Sequence, residues 1–284
     1  MATTTNTTGD SIFRGVLFIA ATVILLIVGA MLTMMIVNSL PTLQQYGAAF
    51  FTGTIWDQAR NQFGALPFIY GTVVSSLIAV LIAVPISIGI AIFLTEQAPK
   101  SLARPIAFMV ELLAAIPSVV FGLWGIFVLA PLIGGKVMLT AGIILAIMIT
   151  PIITAVVRDI LEVVPTSQRE AALALGATQW ETTQIVLSNA VSGIAGAVVL
   201  GLGRALGETM AVTMVIGNIA QINLSPLEPA NTIASVIALN FADAFNGSLY
   251  KSALIQMGLV LFMVTFTVNA LAKLLVSNFG KMSK

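Results

Sequence analysis

The sequence predicts an all-α membrane protein with six transmembrane helices, and three observations predict it. Of 284 residues, 58% are hydrophobic and only 8% charged, against roughly 25% charged residues in soluble domains. Six apolar stretches are longer than the about 18 residues that mark a helix able to cross a hydrocarbon core about 30 Å thick. They lie near 12–38, 67–94, 105–132, 138–160, 190–217 and 252–277. The polar or proline-containing segments between them leave no room for a soluble domain, so residues 1–284 are expected to form a single transmembrane unit.

The first stretch follows a polar start, Met1 to Ser11, and runs for about 26 residues, beyond the roughly 7–15 of a signal-peptide core. It reads as an uncleaved span. Orientation follows from basic residues, which collect on the cytoplasmic side of short loops. With the N-terminus inside, Arg14, Lys100, Arg104, Arg158, Arg169, Lys273, Lys281 and Lys284 fall inside and Arg60, Lys136 and Lys251 outside, eight against three. A multi-pass inner-membrane protein with both termini cytoplasmic is expected. Segments 39–66 and 218–250 then face outward, and their Tyr46, Phe50, Phe51 and Trp56 read either as interfacial anchors or as substrate contacts. Pro85, Pro117 with Gly122, and Pro151 interrupt spans two, three and four, as hinges or as packing bends.

Lys and Arg total 12 and Asp and Glu 11, which gives no basic surface for nucleic acid. With neither cysteine nor histidine, disulfides, thiolate chemistry, Cys or His metal sites and Ser-His triads are excluded. No metal site, bound cofactor or enzymatic activity is expected of this chain. Gly201, Gly203 and Gly207 are spaced one residue too long for a dinucleotide fingerprint and lack a βαβ setting. Gly134-Gly135-Lys136 lacks the first glycine and the hydroxyl residue of a phosphate-cradling loop.

Between spans four and five, 166–188 reads as a cytoplasmic helical hairpin. Ser167 with Glu170, and Thr178 with Glu181, have the spacing of capping boxes. Gly176 suits the left-handed residue that closes a helix, and Ala171 and Ala172 would let another backbone approach. Glu170-Ala171-Ala172, Gly176 and Ile185-Val186-Leu187 resemble the cytoplasmic loop of ABC-importer permeases, Glu-Ala-Ala-x3-Gly-x9-Ile-x-Leu-Pro, with Ile185 one residue early and Ser188 at the proline. The resemblance implies the type I ABC importer permease fold and a coupling helix, with Glu170 bonding an arginine of an ATP-binding subunit. Glu170 acting only as a cap is the alternative.

The fifth stretch carries Arg204 and Glu208, four residues apart and so on one face of a continuous helix. A charge at the bilayer centre costs about 2.5–3.5 kcal/mol even on insertion scales. The pair therefore reads either as mutual neutralisation or as a site where the guanidinium fork meets a passing oxyanion. Gly203 and Gly207 have the small-xxx-small spacing of close helix approach. Ser118 and Thr209 are candidates to line the path, or else bond their own backbone. Glu111 is expected to pair structurally with Arg104 or Arg158.

The stretch Gly201-Leu-Gly-Arg204-Ala-Leu-Gly-Glu208-Thr-Met-Ala-Val-Thr213, with Leu113-Ala-Ala-Ile-Pro117-Ser118-Val-Val-Phe-Gly122-Leu-Trp124-Gly125, resembles the permease subunits of phosphate ABC importers. That resemblance implies a heterodimer with a sister permease, two ATP-binding subunits holding ATP and Mg, and an extracytoplasmic phosphate-binding protein. It also implies that Arg204 and Glu208 match the family's intramembrane pair for phosphate passage. Sulfate or another oxyanion is the nearest rival cargo, and an ion-driven secondary carrier the rival class.

Overall fold

The computed structural model describes residues 8–282, with side chains over 9–274. Met1–Thr7, Lys284 and the Lys281 side chain, part of the predicted terminal charge pattern, lie outside the described residues. In lipid every backbone N–H and C=O needs a partner within the protein, and the chain is helical almost throughout. α1 (Thr8–Tyr46) and the short α2 (Ala49–Thr52) precede a minimal antiparallel pair, β1 (Trp56–Asp57) and β2 (Gln62–Phe63). α3 (Leu66–Ile92) is prolonged by a π turn over Phe93–Gln97. α4 (Lys100–Ala115) is followed by α5 (Ser118–Trp124), which passes through a second π turn, Gly125–Leu129, into α6 (Ala130–Ile133). Then come α7 (Met138–Val163), α8 (Thr166–Ala174), α9 (Gln179–Gly207), α10 (Met210–Val215), α11 (Ile233–Asn240) and α12 (Leu249–Met282).

Among the described residues, five helices are long and apolar enough to cross a membrane: α1, α3 with its π turn, α7, α9 and α12. The stretch 105–132 is not one straight span. α4 and the α5–α6 segment meet at 91°, and only as a bent pair do they supply the sixth crossing. The cause is local. Pro117 has no N–H and drives the residue before it out of the helical region; Ile116 sits at φ −67°, ψ 129° and Pro117 at φ −60°, ψ 140°. Pro85 and Pro151, by contrast, lie within unbroken α3 and α7.

α7 is the centre of the bundle. Ile144, Ile149, Ile153, Val157 and Leu161 are fully buried along it, whereas none of the most apolar window of α1 is buried. The sequence marks α3 for close packing on α7 by small residues, with Ala79, Ala83 and Ala91 fully buried. Hydroxyls cross-link the two helices where the prolines sit: Ser87 Oγ donates to the Thr150 carbonyl at 3.1 Å. Because lipid is as apolar as the side chains, such packing and interhelical bonds hold the bundle in place of a hydrophobic drive.

The two segments expected to face outward are built into the bundle. Phe50 is fully buried, and Trp56 packs on Phe63 and Phe68, each at 5.0 Å between ring centroids. Phe50 is thus core, neither interfacial anchor nor substrate contact, because 39–66 folds back as an aromatic clasp on α3 and α12. Within 218–250, Ile233 to Val236 of α11 are buried. The preceding loop closes the start of α7, with the Met138 and Leu139 amides donating to the carbonyls of Glu228 (3.1 Å) and Pro226 (2.8 Å). These are among the unpaired amides that every helix start carries.

Candidate translocation groove and coupling hairpin

The fifth apolar stretch breaks where its charges lie. α9 ends at Gly207, Glu208 is extended at φ −69°, ψ 127°, and α10 begins at Met210. Arg204 and Glu208 therefore do not stack as a helical i, i+4 pair. Among the described residues, the arginines in ion pairs are Arg60, Arg158 and Arg169; Arg204 is paired with no carboxylate. The Glu208 carboxylate instead accepts from the Ala211 amide at 3.4 Å. Mutual neutralisation is corrected by this geometry: the break leaves the two side chains unpaired with each other on one open groove.

That groove, of about 630 Å³, is lined by Val199, Leu200, Gly203, Arg204 and Gly207 of α9, by Glu208, and by Asn269 of α12. Gly203 and Gly207 serve it differently from expectation. A Cβ on Gly207 would meet nothing within 4 Å and one on Gly203 only the Asn269 amide at 3.6 Å. Close helix approach falls instead to Gly201, where a Cβ would lie 2.6 Å from Ile153. Thr209, beside the groove but not lining it, donates to the Gly207 carbonyl at 3.3 Å. Ser118, at the start of α5, is not among the groove residues. Asn269 was missed in the sequence; its signal was a lone amide in an apolar run, and its Oδ1 is buried without a partner. A larger concavity, about 840 Å³ over Thr54–Ala59 and Ala220, has Asp57 as its charged lining residue, and that carboxylate is paired with the exposed Arg60 at 3.5 Å.

At the other end of α7, Arg158 pairs with Glu111 at 3.1 Å and also meets Asp159 and Glu162. Of the two partners expected for Glu111, the structure selects Arg158. The hairpin follows. Thr178 and Glu181 form a reciprocal capping box, with the Thr178 amide 2.7 Å from the Glu181 carboxylate. Thr178→Ala is expected to cost about 1 kcal/mol of helix stability, read as faster hydrogen exchange in the first turn of α9.

The predicted Ser167–Glu170 box does not form. Pro165 stands at the cap position of α8 and makes no side-chain bond, so Ser167 is already inside the helix and too late to cap it. The Glu170 side chain is exposed and, among the described residues, makes no hydrogen bond or ion pair, so the cap-only reading is removed. Gly176 takes φ +85°, the left-handed value glycine tolerates. Ala171 is exposed, but Ala172 is buried at 5% exposure, because α8 turns that side onto α9. The outward face instead carries Leu173, Leu175 and Trp180, at 49%, 90% and 60% exposure. With serine at 188, α9 runs unbroken, and the Ser188 hydroxyl bonds the Ile185 carbonyl at 3.0 Å.

One cluster was not foreseen. Arg169 of α8 makes a two-pronged ion pair with Glu96, Nη2 to Oε1 at 2.8 Å and Nε to Oε2 at 3.2 Å. The same guanidinium donates to the carbonyls of Val164 (2.6 Å) and Leu161 (2.9 Å) at the end of α7. The partners are 73 residues apart, which no local spacing reveals.

Residues 83–281 match the family described as binding-protein-dependent transport system inner membrane component. The phosphate transport system permease protein PstC of Mesorhizobium japonicum is 43% identical over 93% of this chain and 89% of the relative. That of Haemophilus influenzae is 41% identical over 94% and 93%. Among solved structures, an inward-facing form of the MetNI methionine ABC transporter superposes with a TM-score of 0.58 at 18% identity, over 72% of this chain and 93% of the other, which supports the fold alone. With a bent sixth crossing, five long apolar helices and these relatives, the chain belongs to the binding-protein-dependent transport inner membrane components, in the branch of the phosphate transport system permeases.

Proposed function

We propose that this chain is a permease subunit of an ATP-driven importer for inorganic phosphate, a transport subunit that performs no covalent chemistry. The observation that carries the reading is Arg204, an uncommitted guanidinium on an open groove within an apolar helix. A permanently charged fork is suited to two oxygens of a phosphate, and the relatives at 41–43% identity are named for phosphate. Glu208, Thr209 and Ser118 belong to the proposed path, with Glu208 limiting how tightly an anion is held.

The groove is open on one side, which suits completion by a sister permease. ATP and Mg are assigned to two separate ATP-binding subunits, one of them seated on Glu170, Ala171 and Gly176, with Ala172 supporting from behind. A phosphate-binding protein docks at the opposite, outward end. On this reading both termini are cytoplasmic, in the inner membrane, and residues 1–284 make one transmembrane unit with 166–188 as its coupling hairpin.

Reconstituting the complex in liposomes, with the phosphate-binding protein inside or outside, tests this. Uptake of labelled phosphate is expected only with ATP and the ATP-binding subunits, and excess sulfate should leave it unchanged. Uptake by this chain alone on an ion gradient would overturn the reading in favour of a secondary carrier.

A further inference from the structure

We infer that the Arg169–Glu96 clamp is the joint through which movement of α8 reaches the membrane helices. The inference rests on α8 being the contact for an ATP-binding subunit. α8 is otherwise loosely held. It has one buried residue, Ala172, and no side-chain cap, and beyond its packing on α9 it gains one side-chain bond to that helix, Asn189 to Gln168 at 2.9 Å. Arg169 supplies what is missing. Its guanidinium joins three elements at once: α8 itself, the last carbonyls of α7, and Glu96 in the π turn that ends α3.

The chemistry makes the joint stiff. Four of the five N–H donors of arginine are committed in fixed directions, and the side chains are only 19% and 9% exposed, so water competes poorly for the pair. Bidentate pairs of this kind hold angle as well as distance. A tug on α8 therefore moves the ends of α3 and α7 together. From α7 the path is short: Ile153 abuts Gly201, one helical turn from Arg204. Lysine could carry the charge but could not reach a carboxylate and two carbonyls with one planar fork.

The test uses the assembled complex in proteoliposomes, with ATP hydrolysis and phosphate uptake measured on the same sample. For Glu96→Gln and for Arg169→Lys, ATPase activity should stay within about twofold of the parent while phosphate moved per ATP falls by about tenfold. Unchanged uptake per ATP in both variants would overturn the inference. So would a parallel fall in both activities with ATP-binding subunits lost on size-exclusion chromatography, since that marks a role in assembly only. Glu96→Gln keeps an acceptor oxygen, so at least one variant is expected to assemble. Failure of the importer reading itself is distinguishable, because the parent complex would then show no ATP-dependent uptake before any substitution is made.

Discussion

Arg204→Gln should abolish most phosphate uptake while leaving the complex assembled. Removing the hydrogen-bonded charged partner of an anion costs about 2–5 kcal/mol, or roughly thirtyfold and more at about 1.4 kcal/mol per decade. Yield and retention of the ATP-binding subunits should match the parent, because Arg204 pairs with no carboxylate whose charge would be orphaned. Arg204→Lys should retain part of the activity, as a point charge without the fork. Uptake assays and size-exclusion profiles read the two quantities separately. Normal uptake with Arg204→Gln would remove this residue from the path.

Gly71→Ala is expected to have the largest effect on the fold. Gly71 lies in the first turns of α3, and a Cβ there would come within 2.0 Å of the Asn231 carbonyl oxygen. Overpacking costs about 1–3 kcal/mol where side chains give way. Here the obstacle is backbone, in a loop pinned by Tyr70 to the Asn223 carbonyl at 2.6 Å and by the Ile233 amide to Thr72 at 3.0 Å. A loss of about 3 kcal/mol or more is expected, seen as a lowered Tm in detergent and a poor yield of complex. Gly89→Ala is the control: its Cβ would meet nothing within 4 Å, and alanine in a helix interior should be neutral or stabilising by about 0.5–1 kcal/mol. Equal Tm values for the two variants would contradict the packing described.

Spans two and four were legible because a long apolar run in lipid has only one way to satisfy its backbone, and their prolines did not break them. Pro117 differed from Pro85 and Pro151 in outcome, not in kind. Whether neighbours compensate the lost N–H is a tertiary matter, and at Ile116 they do not. The i, i+4 argument for Arg204 and Glu208 presupposed helix through Gly207-Glu208, and the helix stops there. At the hairpin, both capping boxes had the right spacing, but Pro165 moved the start of α8 ahead of Ser167, so Thr178 alone caps. The Arg169–Glu96 clamp joins residues on different helices, and periodicity along one helix carries no information about it.

The break after Gly207 has a consequence for hydration. A helix that stops inside an apolar layer leaves its last carbonyls short of helical amides, and here the Ala205 carbonyl takes the Glu208 amide at 3.4 Å and the Gly207 carbonyl the Thr209 hydroxyl at 3.3 Å. Such irregular backbone is tolerated at depth where it is buried in protein or lines a water-filled space, and here it borders the open groove. An open groove bordered by such backbone and by Arg204 has room for water as well as for cargo. An entering anion exchanges one solvated setting for another, and the barrier it meets lies at the ends of the path rather than at the guanidinium.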